Sequence, residues 1–342
     1  MEIGVILVTG RSPFDKTSKT AKNARTGFGE SHSPDDFVRW DLLGRSVLAR
    51  MVDLLKAAGI KVISVVNEDQ HDRNHSKIEP WEKTLKDYVH SGVRHTLVIS
   101  ARRYIEIDIT KLILFHRQTS STVTNVAGES GPLGVTVIDS KCAVGEDSPL
   151  SSRLPAFAAC SSTYDYDGYV NNLSSVAEYR ELVLRTLAGK CAIRPLAQEI
   201  KANVWVAPDA RIHSSVRLVA PAYVGAHTRI RAGALLAGTS VERDSEIDCG
   251  TVADSCSVLP HTYIGPGLHV SQSVVNGSRL LHLKHGLDMD LGETGLLGPK
   301  RNEKSYSLLG SIGAFVQSAF HGEPQSDAPT PSQAAASLER AQ

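Results

Sequence analysis

"VAPDARIHSSVRLVAPAYVGAHTRIRAGALL", residues 206–236, carries an aliphatic side chain at every sixth position: Val206, Ile212, Leu218, Val224, Ile230 and Leu236. The fourth residue after each is small or β-branched: Ala210, Val216, Ala222, Thr228, Ala234 and Ser240. The step shortens by one to Val241 and Ile247, and again to Val252, from which Val258, Ile264 and Val270 follow. Ser245, Thr251, Cys256, Thr262 and Val274 keep the small or branched partner. A period of six fits neither the 3.6 of a helix nor the 2 of an isolated strand. It fits a coil whose flat faces are each one short strand, with one aliphatic residue turned inward per face and a small one at each corner.

These repeats resemble the hexapeptide-repeat family, whose coils wind as a left-handed parallel β-helix of three faces. The resemblance implies about four coils over residues 196–278. Such a stack needs closure at both ends. The N-terminal half is expected to cap one end. Residues 279–321, which include "SYSLLGSIGAFVQSAF", are expected to cap the other. Residues 322–342, rich in Pro, Ser, Ala and Gln, read as a disordered tail.

Charge and composition remove several function classes. Lysine plus arginine (37) equals aspartate plus glutamate (37) in 342 residues, so no global field favours nucleic acid or an anionic membrane. No basic start leads into an apolar run, and no stretch approaches the ~18 apolar residues of a membrane span. A cytoplasmic protein is expected. The five cysteines are odd in number and form no CxxC pair, which reads as buried thiols.

Residues 1–195 alternate strand and helix signals. "IGVILV" reads as a buried strand ending at Gly10. "RSVLARMVDLLKAAGIKVISVV" reads as a helix with Val47, Met51, Leu54, Leu55 and Ala58 on one face, stopped by Gly59 and followed at once by a strand. "WEKTLKDYVHSG" is a further helix, "HTLVIS" a strand, "DITKLILFHRQ" a helix capped by Asp108, and "TVTNV" a strand. "SSVAEYRELVLRTLAGK" opens with Ser175 and Glu178 at capping-box spacing. The fold class expected is α/β plus all-β: a mostly parallel α/β sheet domain, then the coil. Ligands of such sheets sit at the carboxyl ends of the strands.

The order of these segments is similar to that of the sugar-1-phosphate nucleotidyltransferases, the NDP-sugar pyrophosphorylases, over most of residues 1–275. That resemblance implies an enzyme joining a sugar 1-phosphate to a nucleoside triphosphate with release of pyrophosphate. It also implies a glycine-rich loop with an arginine, a lysine in a Pro-Lys-Pro stretch, and two aspartates holding Mg²⁺. Carried onto this chain, most of these groups are replaced. In the loop only Gly10 and Arg11 correspond; the Pro-Lys-Pro stretch falls on "FVRWDLL", without lysine. Arg102 stands at the first metal position and Asn171 at the second. Exchanging a metal carboxylate for arginine sets two cations at ~4 Å, a repulsion of ~4 kcal/mol at an effective dielectric of ~20. No cofactor is therefore expected.

The resemblance and these departures together lead to a recognition protein for a nucleotide sugar or sugar phosphate, a regulatory or scaffolding homologue in polysaccharide-precursor synthesis. Its partners would be further copies of itself or a working pyrophosphorylase, with no nucleic acid and no membrane. Candidate nucleotide- or phosphate-binding residues are Gly10, Arg11, Lys16, Lys19, Lys22, Arg25 and Arg102, with Asn171 in the sugar pocket; Lys16, Lys19, Lys22 and Arg25 are spaced by three with no acid between them. A solvated loop is the alternative for those cations. Asp139, Asp165 and Asp167 read as polar-loop residues. One alternative function is an active nucleotidyltransferase with displaced residues and Mg²⁺. Another is an acyltransferase using His213, His227 or His261 as general base, although none has a carboxylate at a spacing that reads as an orienting partner.

Overall fold

The alternation of segments in the first half builds a sheet covered on both faces. In the computed structural model the described residues are 3–10, 34–68, 79–143 and 160–300. The stretch 305–320 and the expected tail lie outside them. The elements are β1 (Ile3–Thr9), α1 (Pro34–Arg39), α2 (Val47–Ala57), β2 (Val62–Asn67), α3 (Pro80–His90), β3 (His95–Ser100), β4 (Tyr104–Ile105), α4 (Ile109–Gln118), β5 (Val123–Gly128), β6 (Gly131–Asp139), α5 (Ser140–Ala143), β7 (Ser161–Asp165), β8 (Val170–Asn171) and α6 (Val176–Leu187). Two caps hold where the sequence places them: Asp108 accepts from Lys111 N–H at α4 and Ser175 from Glu178 N–H at α6. Ser46 accepts likewise from Ala49 N–H at the start of α2. Glu178 reaches back to Ser174 N–H (2.7 Å), one residue earlier than in the usual box.

The sheet runs β2-β1-β3-β6-β5-β7. It is mostly parallel, with one reversed strand that makes it mixed: β6 lies antiparallel to both β3 and β5, and the other five strands share one direction. The reason is local. Only Glu129 and Ser130 separate β5 from β6, and a connection that short can join only antiparallel neighbours. Gly131, at φ +108°, closes the turn. Side chains alternate across the central strands: Ile6, Val8 and Val98 pack with Trp81, Leu85 and Tyr88 of α3, while Val5, Leu7, Leu97 and Ile99 face α2, α4 and α6. The short pair β4–β8 sits apart, with Tyr104 opposite Asn171.

After β9 (Gln198–Lys201), short strands follow one another onto three parallel stacks. The arrangement is compatible with a β-helix. One stack places Val206, Val224, Val241, Val258 and Val275 in register; the second Ile212, Ile230, Ile247 and Ile264; the third Leu218, Leu236, Ala253 and Val270. Ala253, not Val252, is thus the inward residue of its strand. The shortened step recurs at one corner in successive coils, from Leu236 to Val241, Ala253 to Val258 and Val270 to Val275. The small corner residues have a second use: Thr228, Thr239, Ser245 and Thr251 donate their hydroxyls to buried carbonyls of Glu242, Ala253, Leu259 and Gly265 in the next coil. A buried carbonyl left unpaired there would cost ~1–3 kcal/mol.

The two ends of the coil are built differently. At the C-terminal end a hairpin of Arg279–His282 and Leu287–Asp290 extends the first stack, and Leu297–Pro299 lies antiparallel on Thr262–Ile264. Leu280 and Leu297, both within the segment expected to cap this end, enter the coil's core there. At the other end Val206, Ile212 and Leu218 are only half-buried. Among the described residues the α/β half does not cover them. It packs on the side of the first stack, where Tyr223, Leu259, Val274 and Leu281 join the core of α2, α4 and α6. Among the described residues no helix is long and apolar enough to cross a membrane.

This gradient of burial makes a prediction. Ile247 is fully buried, so Ile247→Ala should destabilise by about 2–5 kcal/mol through lost contacts and a cavity that cannot collapse. Half-buried Ile212→Ala should cost less than half as much. Denaturant unfolding of the two variants decides it; equal losses would mean that the first coil is covered.

Candidate functional site

The carboxyl ends of β1 and β3 and the loop before α2 converge on the region that the family resemblance singles out. Gly10, buried and at φ +85°, turns the chain out of β1. A side chain would be strained in that conformation. Arg11, Lys16, Lys19, Lys22 and Arg25 follow it and lie outside the described residues. Arg102, half-buried, stands two residues beyond the end of β3 and two before β4. Asn171 lies on β8 opposite Tyr104 of β4, which follows Arg102 by two residues.

Asn171 is 3 % exposed and committed to the protein itself. Its Nδ2 donates to Glu178 O (2.9 Å) and Tyr169 Oη (3.1 Å), and its Oδ1 accepts from Leu173 N–H (3.0 Å). Both amide hydrogens are therefore used in fixing the turn into α6. Asp139, Asp165 and Asp167 stand at or beyond the ends of β6 and β7, and Asp165 is a strand residue rather than a loop one.

The loop where the Pro-Lys-Pro stretch would fall is held by the coil. Leu43 and Gly44 take φ +54° and +111°, which turns their successive N–H groups in one direction. Both donate to Glu242 of the coil, Leu43 to Oε1 (2.7 Å) and Gly44 to Oε2 (2.8 Å). Arg50 of α2 donates to the carbonyls of Leu42 and Leu43, and Arg243 to Asp41 (2.8 Å). Tyr179 donates to the Asp41 carbonyl. A Cβ on Gly44 would come within 2.9 Å of Tyr223 Oη, so the position has no room for a side chain. From α6, Arg180 reaches across to Ser257 Oγ (2.9 Å) and the Gly238 carbonyl.

This junction is almost dry, and burial sets its ionisation. Glu242 is fully buried, and desolvation, then the neighbouring Asp41, push its carboxyl up to about 8 against the pull of the two amides and Arg50. Desolvation likewise holds the Arg50 and Arg180 guanidiniums below their ordinary values and the Tyr179 and Tyr223 phenols above theirs. Sequence reading missed Glu242, which sits at an outward coil position indistinguishable by type from solvated ones.

The coil histidines also change their reading. His227 Nδ1 lies 2.9 Å from Asp209 Oδ2, one coil earlier, with both side chains substantially exposed. His261 is 3.9 Å from Asp244. A helical period hides these partners, because coil stacking brings together residues nearly a full turn apart in sequence. His213 accepts instead from Ser215 N–H and pairs with the Ser215 hydroxyl. Among the described residues no cluster of three His, Cys, Asp or Glu is placed to hold a metal ion. No family model matches the chain, and a search of curated proteins finds no significant relative.

Glu242 supplies a prediction with a definite sign. Its carboxyl holds a proton up to about pH 8 when folded, but only to about 4.5 in the unfolded chain. Between those values the folded state binds more protons. Its contribution is thus full below about pH 4.5 and is lost as pH rises through 8, at up to ~1.4 kcal/mol per unit. The stability difference between wild type and Glu242→Gln should therefore shrink from pH 5 to pH 8.5 in denaturant titrations. A difference that grows with pH would show that Glu242 is an anion in the fold.

Proposed function

We propose that the chain is a nucleotidyltransferase-like α/β domain on a left-handed β-helix, and that it recognises a nucleotide sugar or sugar phosphate as a regulatory or scaffolding protein of polysaccharide-precursor synthesis in the cytoplasm. The observation that carries this reading is Arg102 at the carboxyl end of β3 with Asn171 on the neighbouring β4–β8 pair. A cation and an amide occupy the two places where the resemblance calls for metal carboxylates. An arginine there suits a diphosphate directly, because its planar fork makes charge-assisted bidentate bonds to phosphate oxygens. Asn171 acts in this reading through the β8–α6 turn that it fixes.

Self-association through the coil is part of the proposal. β9 is an edge strand whose residues are all exposed, with Ile200 55 % exposed, and its outer backbone groups are a template for another chain. Beside it, Leu196, Val219 and the half-buried Val206, Ile212 and Leu218 offer apolar surface among exposed polar residues that include Glu199, Lys201, Arg211 and Arg217. The occupant of that surface is a second copy or a working pyrophosphorylase.

Two measurements test the proposal. Ligand at ~100 times its dissociation constant stabilises by ~2.7 kcal/mol, which for an α/β domain of about 200 residues raises the melting temperature by about 5–10 °C. A nucleotide sugar should do so equally in Mg²⁺ and in EDTA, and Arg102→Ala should remove the shift. Steady pyrophosphate release from nucleoside triphosphate and sugar 1-phosphate would overturn the regulatory reading in favour of an active enzyme. Light scattering at tens of micromolar should give a mass above that of one chain; a strict monomer would leave the coil end to another protein.

A further inference from the structure

The α/β half holds a cavity of about 310 Å³, with Ile99 and Ile105 of its lining on either side of the turn that carries Arg102. Its floor is one row of the sheet: Leu7 of β1 is in register with Ile99 of β3, and Ile99 with Val135 of β6. Its roof is the stripe Met51, Leu54, Leu55 and Ala58 at the end of α2, spaced so that all four share one helix face. Ile105, Ile107 and Ile109, between β4 and α4, form the wall, with Ala192 opposite. The hydrocarbon lining offers water no hydrogen-bond partner, and a well-packed core does not leave such a space without consequence.

The polar lining is two carboxylates, Glu106 and Asp108, and no basic side chain contributes to it. Glu106 Oε1 accepts from both the Tyr104 hydroxyl (2.5 Å) and the Ala192 N–H (2.6 Å). Among the described residues no donor meets its Oε2. Asp108 caps α4 through Oδ1, and Lys111 Nζ stands 3.7 Å from its Oδ2. The half-buried Glu106 and exposed Asp108 and Ala58 place the mouth at the end of α2.

We propose that this cavity binds a primary aliphatic amine, its hydrocarbon chain between α2 and the Leu7–Ile99–Val135 row and its ammonium donating to Glu106 at the mouth. Apolar walls select the chain by area removed from water. The Glu106 carboxylate, whose Oε2 meets no donor among the described residues, selects a donor head over an acid of equal length, and Lys111 is engaged with Asp108. The site does not depend on the nucleotide-sugar reading.

Hexylamine, hexanol and hexanoate, compared by calorimetry and thermal shift on the full chain, separate the contributions. Hexylamine should bind most tightly, hexanol at least tenfold more weakly, and hexanoate not detectably. Glu106→Gln keeps an acceptor for Tyr104 and Ala192 but replaces the second oxygen by a donor. It should weaken hexylamine at least tenfold and leave hexanol within about threefold. Ala58→Leu, which places a side chain in the roof, should abolish binding of all three while leaving any nucleotide-sugar shift intact. Equal affinity for amine and carboxylate would overturn the assignment, as would hexylamine binding unchanged in both variants.

Discussion

Two backbone amides and the buried carboxyl of Glu242 tie the loop before α2 to the coil. Glu242 leaves the coil at the level where the chain before α2 turns through two left-handed residues, and it receives the N–H groups of Leu43 and Gly44 at 2.7 and 2.8 Å. Those amides have no strand or helix partner, so in a buried site they need an acceptor. Arg50 completes the arrangement by taking the carbonyls of Leu42 and Leu43. The loop is thus specified by residues from three elements. Removing Glu242 would strand the amides, whereas removing the loop would strand the carboxyl.

The consequence is that the coil and the sheet share a core. Tyr223, Leu259, Val274 and Leu281 of the coil pack with Leu42, Leu43, Tyr179 and Leu182 of the α/β half, and Arg180 reaches the coil's corner carbonyls. A lateral junction leaves the coil's first turn available, unlike an axial cap. It also ties the loop preceding α2 to the coil, where a side chain added at Gly44 would meet Tyr223 Oη. Strain at φ > 0 in Leu43, a bulky residue, is maintained by these surroundings.

What the sequence made legible follows from how many residues repeat each signal. The coil's inward ladder is stated some dozen times, so period six survives a misassigned member such as Val252 for Ala253. Helix caps are legible because Asp108 and Ser175 act on backbone only three residues away. The antiparallel β6 was missed because "GPLGVTVID" opens with turn residues and its partner choice depends on a two-residue connection. Glu242 and the His227–Asp209 pair were beyond reach for a different reason. Their partners lie 198 residues or a full coil away, and residue type alone does not distinguish a buried carboxylate from a solvated one.

The same distinction governs what the α/β half offers chemically. Its strand ends present a guanidinium at Arg102, and the neighbouring amide of Asn171 is spent on the turn into α6. Carboxylates exist nearby but are differently employed: Glu178 closes a capping interaction, Glu106 ties β4 to Ala192, and Asp41 is bound to Arg243. A divalent ion needs oxygen ligands that converge with the charge left uncompensated. Each of these acids already has a donor and belongs to a different element. On the proposed reading Arg102 would meet an anion there directly, and the loop preceding α2, tied to Glu242, would keep its conformation when it does.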